Sequence, residues 1–490
     1  MKSVLVIFGI LATVIAQPEC PADASEVLIL GGGITGVAAA RRLHELGVTD
    51  FILLEAQDRL GGRIRNEELV PGVNVNVGAN WIHGVDRNNP TRHPLFSLMQ
   101  DCGGLDGYYS NFDSLVVYDE DGNDVPADNL RHSAFTDASE AASDQAGTTP
   151  ANDVSARAGF TEAGWTPNGA NDNWVEWYNF DFSSIDPPDN TSLQAFSNDA
   201  TSMDFSNTPS DYLITDNRGT VFLIECLANA FTNNNPTSDQ RIHLSTTVTT
   251  IEYGDSCVCA TATENGQTVR YCGRYAIVTF SLGVLKAQAS TLFSPPLPTA
   301  KTNALDGLNL GFYYIIYAVF SNRFWDDNVE YIGVTSSTRG YLPVIGVIPE
   351  SRGVNATMMP VTGEIAFQLA RLSETDLRAA ITTLYSDVYG APALAPTNII
   401  SFRWGLNPLF MGSYSNVFPR GIGGFTEMAR PEGRMYIAGE GTSTRYQGFM
   451  HGSYLSGIET VNTIRGLSSG TKLMGNSMLV LVIAICKIMF

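Results

Sequence analysis

Short apolar runs closed by glycine open the readable part of the chain. Residues 27–30 read VLIL and stop at Gly31, the pattern of a strand buried on both faces. Residues 37–46, VAAARRLHEL, have helical composition and end at Gly47. A second apolar run, FILL at 51–54, ends in Glu55. Strand, glycine turn, helix and strand make one βαβ unit. Farther on, 242–280 reads as short strands, with Asn265-Gly266 as a two-residue hairpin turn. Strands are expected at 313–320 and 341–347, and a helix near 374–389. The strand at 435–438 runs into Gly439-Glu440, and a helix near 452–465 follows. Between 101 and 216 the pattern fades. That stretch holds 22 acids, with Arg131 and Arg157 as its bases, and reads as a loop-rich insertion.

The two ends are apolar in a different way. Met1-Lys2 precedes an apolar run at 4–16, too short to span a membrane and suited to a secretory signal that is removed. At the other end, residues 478–490 form an apolar tail after the small residues Ser468-Ser469-Gly470. That order fits a lipid-anchor signal, with a short tail anchor or a docked terminal segment as alternatives. The expected location is therefore secreted or at the extracellular cell surface.

Charge and cysteine content narrow the picture further. The chain of 490 residues carries 50 acids against 29 bases, a net charge of -21, which argues against a nucleic-acid partner. Its seven cysteines include no CxxC pair, and no metal site is expected. Setting Cys486 aside leaves six, an even number suited to disulfides. Counting outward from the Asn265-Gly266 turn places Cys259 opposite Cys272, in reach of a cross-strand bridge; the other pairings stay open. Sequons occur at Asn190 and Asn355.

Candidate chemistry begins at the first turn. In Gly31-x-Gly33-x-x-Gly36, the first glycine permits the tight turn, the second lets backbone approach a pyrophosphate, and the third packs helix on strand. Glu55, nineteen residues after Gly36, can accept from both ribose hydroxyls. The stretch EAQDRLGGR at 55–63, ending in Arg63, resembles the extended signature of flavoenzymes that bind FAD through this fold, and Gly439-Glu440 resembles their second FAD contact. FAD is thus expected rather than NAD.

Several stretches together resemble flavin-containing amine oxidases, closest to the polyamine oxidase branch. They are GANWIHG at 78–84, SLGVL at 281–285 with LPTAK at 297–301, RWG at 403–405 with GSYS at 412–415, and GEGTSTRYQGFMHG at 439–452. The resemblance covers about residues 26 to 465. It implies an α/β fold: a Rossmann-type FAD-binding domain (25–90, 215–290 and 400–466) interleaved with an α+β substrate-binding domain (91–214 and 291–399).

The resemblance also implies roles. Lys301 matches the lysine that holds a water at the flavin, and His83 matches a position that bonds a substrate amine or tunes its proton. Tyr414 and Phe449 match the aromatics flanking the amine, and Asp186 an acid facing the substrate tunnel. The cofactor set is Gly31, Gly33, Gly36, Glu55, Arg63, Ala79, Asn80, Trp81, Val248, Trp404 and Glu440. Ser413 stands about where monoamine oxidases carry the cysteine that attaches FAD, so noncovalent FAD is expected. The implied activity is oxidation of polyamines of the spermine and spermidine class by oxygen, giving imine, then aldehyde plus amine, and hydrogen peroxide. The alternatives are an oxidase of another amine, or an inactive FAD-containing surface binding protein. Lys301 is set against the inactive reading.

Overall fold

The computed structural model describes residues 19–199, 205–206, 208–326, 328–390 and 395–466. The signal expected at 1–16 and the tail at 467–490 lie outside these residues. Among the described residues no helix is long and apolar enough to cross a membrane.

Strand β1 (Ser25–Leu30) lies at the centre of an eight-stranded sheet, parallel to both the strand Gln267–Val278 and β2 (Phe51–Leu54). Val27, Leu28, Ile29 and Leu30 are each fully buried, which is why the run is continuous rather than alternating. Helix α1 (Ile34–Glu45) buries Val37, Ala38, Ala39, Ala40 and Leu43 against this sheet and the C-terminal helix Met450–Ile464. Small alanines allow that close approach. The strand Met435–Ile437 joins Gln267–Val278 in parallel, bringing Glu440 to the carboxyl end of the same sheet. The hairpin turn forms as expected: Asn265 and Gly266 both have positive φ, and Glu264 pairs with Gln267.

A six-stranded sheet holds the strands Asn398–Ser401, Tyr313–Val319, Ala356–Thr362, Val344–Val347, Tyr331–Val334 and Leu115–Tyr118, in that order. The helix Glu374–Tyr389 covers it with Leu377, Ile381, Leu384 and Tyr385.

The 101–216 stretch departs from the loop-rich expectation. It forms the helices His132–Gln145, Ala156–Glu162, Gly169–Glu176 and Leu193–Asp199, with a π-helical turn at Trp177–Asp181. Its core is aromatic: Phe135, Phe160, Trp165, Trp174, Trp177 and Phe180 are all buried. Each such ring buries roughly 150–250 Å², so one or two per helix suffice and no long aliphatic periodicity is needed. Both bases are consumed inside, Arg131 by Asp172 and Arg157 by Glu176.

Cys259 faces Cys272 in register and is bonded to it. Cys20–Cys257 and Cys102–Cys226 are the other two disulfides, both closing long sequence separations that spacing could not suggest.

Candidate active site

One cavity of about 1560 Å³ runs from the end of β1 to Tyr414 and Phe449. That exceeds the roughly 300–1,000 Å³ of an ordinary small-molecule site, so it has room for a cofactor and a second ligand. It opens at the carboxyl ends of the parallel strands, where open α/β sheets bind nucleotides.

The glycine turn forms its floor. Gly31 has φ +112°, and a Cβ there would lie 2.3 Å from Thr279 Oγ1. Gly33 borders open space with nothing near its missing Cβ. A Cβ on Gly36 would lie 2.0 Å from the carbonyl oxygen of Gly31, so this glycine seats α1 on the turn from behind and does not line the cavity. Gly33 caps α1 with no side chain, leaving the first N–H groups and the positive end of the helix dipole toward the cavity. Glu55 ends β2 with its carboxylate fixed by Gly32 N (2.6 Å) and Gln57 N (2.8 Å). Burial pushes its pKa up, against those hydrogen bonds.

At the other side, Arg63 Nη1 donates to Glu440 Oε1 (2.9 Å) and to the Ser413 carbonyl (2.7 Å). Glu440 Oε2 accepts from Ser415 N, Ser415 Oγ and Gly448 N. The indole N–H of Trp404 is satisfied by the Val77 carbonyl and that of Trp81 by Ser110 Oγ, so both rings present apolar surface. Ala79, Asn80 and Val248 complete this lining. A glycine cradle, a helix N-terminus and a strand-end carboxylate fit the pyrophosphate and ribose of a dinucleotide such as FAD.

Beyond the cofactor side the walls turn aromatic. Tyr178 stacks on Phe182, which stacks on Tyr313, and Tyr313 lies 5.8 Å from Tyr414. On the opposite strand His83 meets Phe449 edge-on at 5.4 Å, and Phe449 stacks on buried His451 at 5.1 Å. His83 Nδ1 is 3.2 Å from Asp211 Oδ2, and Gly84 N donates to Asp211 Oδ1. Burial would raise the Asp211 pKa, but the His83 ring and the Gly84 N–H outweigh it and hold the carboxyl below its ordinary value. His93 behind them is pushed down to about 3 by burial, and burial also lowers His451. Those two rings stay neutral at working pH. Among the described residues the lining carries five acids (Glu55, Asp113, Asp144, Asp211 and Glu440), with Arg63 and His83 as its basic groups. Such a wall concentrates cations.

Two expected site residues are elsewhere. Lys301 is fully buried outside the cavity lining. Its ammonium donates to the carbonyls of Glu427 (2.6 Å), Met428 (3.2 Å) and Arg430 (2.7 Å), and Glu432 Oε1 is 3.6 Å away. It satisfies the exposed carbonyl end of the helix Gly424–Ala429, a structural task. No lysine lines the cavity among the described residues. Asp186 is also buried behind the wall. Its Oδ2 accepts from Asn309 (2.8 Å) and Asn416 (3.0 Å), partners in register across the strands Leu308–Leu310 and Ser415–Val417. Only Asn416 of these reaches the cavity. Asp211 and the Tyr178–Phe182–Tyr313 stack carried no sequence signal, since each is assembled across more than a hundred residues of chain.

A family model described as flavin containing amine oxidoreductase matches residues 34–465. The chain belongs to this family. Polyamine oxidase 1 of Zea mays is 31% identical over 458 residues, 89% of this chain and 90% of that protein. Polyamine oxidase 6 of Oryza sativa subsp. japonica is 30% identical over 482 residues, 94% and 95% of the two chains. Among solved structures, putrescine oxidase bound to putrescine superimposes with a TM-score of 0.72 at 18% identity, covering 90% of this chain and 99% of that one, a likeness of fold. The protein is accordingly an oxidoreductase of amines with FAD as cofactor.

Proposed function

We propose that the protein oxidises polyamines of the spermine and spermidine class at a carbon adjacent to nitrogen. The observation that carries this reading is the Asp211–His83 pair facing Phe449, in a cavity that Asp113 and Asp144 also line and that aromatic rings wall. Rings and carboxylates together suit an elongated cation. In the net reaction, R–CH2–NH–R′ and oxygen give R–CH=N–R′ and hydrogen peroxide, and water splits the imine to aldehyde and amine. FAD, when bound, supplies acceptance of the hydride equivalent and return of two electrons to oxygen.

The chain orients the amine and manages its proton. The reacting nitrogen must be neutral, so that its lone pair can push toward the carbon. A proton on His83 Nδ1, held toward Asp211, leaves Nε2 as an acceptor for the amine N–H. Tyr414 and Phe449 flank the amine, and Trp81 and Trp404 exclude water beside the cofactor. An amino-acid oxidase needs a guanidinium for the substrate carboxylate, and Arg63 is tied to Glu440 and Ser413. Lys301, outside the cavity, no longer bears on the inactive alternative.

The test is a peroxide assay with spermine, spermidine and monoamines, with products identified by mass spectrometry. Peroxide from the polyamines is expected; none from any of them would overturn the reading. Activity is expected to fall on the acid side. Asp211, held below its ordinary range, stays ionised there, so the fall belongs to protonation of the reacting amine. The His83→Ala variant, which loses the Nε2 acceptor held in place by Asp211, is expected to lower kcat/KM for polyamines about tenfold. It should also raise KM for a triamine more than for a monoamine. Wild-type kcat/KM and KM with every amine would make His83 structural.

FAD is proposed to be noncovalent. Ser413 Oγ donates to the Tyr313 carbonyl and accepts from Tyr313 N, a strand tie. The six described cysteines are all in disulfides, so none offers a thiol. Acid precipitation should release the yellow colour to the supernatant; colour in the pellet would show a covalent bond.

We also propose secretion or display at the cell surface. Three disulfides support an oxidising route. If the tail of residues 478–490 signals a lipid anchor, phosphatidylinositol-specific phospholipase should release the protein from cells. Protein found only in untreated medium would remove the anchor.

A further inference from the structure

The aromatic wall of the cavity rests on an unusual piece of backbone. Tyr178 and Asn179 lie within the π-helical turn Trp177–Asp181, and Phe182 follows it directly. Such turns are rare and frequent at functional sites.

The holding group is Arg339, which reaches over from the 335–343 connection between two strands of the six-stranded sheet. Its Nη1 donates to the Asn173 carbonyl (3.1 Å) and pairs with Glu176 Oε1 (2.9 Å); its Nη2 donates to Asp181 Oδ1 (2.6 Å). The three contacts bracket the π turn, from the helix before it to its last residue. Both carboxylates are almost fully buried. Glu176 is further satisfied by Arg157, through two bonds of 2.6 and 2.5 Å, and by Trp165 Nε1 at 2.8 Å. Two arginines thus balance two acids, with exposed Asp189 touching only Arg157.

We propose that Arg339 is a positioning residue for amine oxidation, clamping the π turn so that Tyr178, Asn179 and Phe182 form the wall that binds the far part of the substrate. This rests on the polyamine reading above. Arg339 itself does not line the cavity. The planar guanidinium matters, because one flat fork spans both carboxylates and a carbonyl, and a lysine ammonium cannot.

The clamp has a titratable half. Burial pushes the Asp181 carboxyl up to about 7, against Arg339 and Arg157 and with Glu176. The Asp181–Arg339 ion pair therefore forms as pH rises through neutrality and is replaced by a neutral hydrogen bond below it.

The test uses the full-length, FAD-loaded protein. Arg339→Lys should raise KM for a triamine about tenfold, leave KM for a short monoamine and kcat within about twofold, and speed hydrogen exchange across residues 174–184. Asp181→Asn keeps the shape and the hydrogen bond to Arg339. It should reduce the change in triamine KM between pH 6 and 8, roughly a unit either side of the Asp181 pKa, leaving only the part that belongs to the amine itself. Unchanged exchange across 174–184 in Arg339→Lys overturns the clamp, whether or not any amine is a substrate. Faster exchange with unaltered triamine KM overturns the positioning role. Failure of the wild type to oxidise any polyamine removes the functional reading and leaves the exchange result to judge the clamp.

Discussion

Replacing Gly36 by alanine is expected to yield protein that folds poorly and holds FAD at least about tenfold more weakly, roughly 1.4 kcal/mol. The new methyl would sit 2.0 Å from the Gly31 carbonyl oxygen and 3.2 Å from Ile29 Cγ2, and neither can give way cheaply. Backbone lies on one side and the fully buried centre of β1 on the other. Helix α1 would have to lift from the turn, carrying its N-terminal N–H groups away from the phosphates. Overpacking of this kind costs about 1–3 kcal/mol before any ligand is considered. Flavin content per chain and the unfolding midpoint measure the two effects. A variant with full flavin and wild-type stability would show that α1 tolerates displacement and that the glycine turn does not seat the cofactor.

Lys301→Met should behave as a stability variant. The ammonium satisfies three carbonyls at the end of the helix Gly424–Ala429, with Glu432 and Glu427 nearby, and burial lowers its pKa despite them. Methionine fills much of the space and donates nothing. Leaving buried acceptors unsatisfied costs about 1–3 kcal/mol each, and partial access of water to this helix end reduces the sum, so a loss of about 3 kcal/mol is expected. Urea unfolding of the FAD-loaded protein reads this as a lower midpoint with an unchanged slope. Flavin content, flavin reduction by amine and reoxidation by oxygen should all stay within about twofold of wild type. Wild-type stability with a flavin half-reaction slowed tenfold or more would return Lys301 to the site.

The contrast between these two positions shows where sequence reading succeeds. Gly31, Gly33, Gly36 and Glu55 sit within one βαβ unit, and their geometry is dictated by local spacing. A strand ends, a tight turn needs positive φ, a helix begins, and the next strand delivers a carboxylate beside the first. Glu440 was legible for the same reason, at the end of a short strand paired with the same sheet. The parallel core, the Asn265-Gly266 hairpin and the Cys259–Cys272 bridge follow from runs and turns only a few residues long.

Lys301 and Asp186 were misplaced because a motif locates a backbone segment but does not say which side of it faces the cavity. Lys301 lies on the short helix Thr299–Gly307, where a neighbouring helix end offered three unpaired carbonyls that only the packed structure reveals. Asp186 had two amides of paired strands within reach. The helices of the 101–216 stretch escaped because their core is a few large rings rather than a repeat.

By itself, then, the sequence determined the dinucleotide cradle, the parallel sheet that presents it and the family chemistry attached to it, because each depends on residues close in the chain. The tertiary structure decided which charges meet. It set Asp211 against His83 across 128 residues, tied Arg339 to Asp181 across 158, and drew Lys301 away from the cavity. Those pairings depend on how separate segments pack, and burial then makes each one matter by removing the water that would otherwise satisfy both partners.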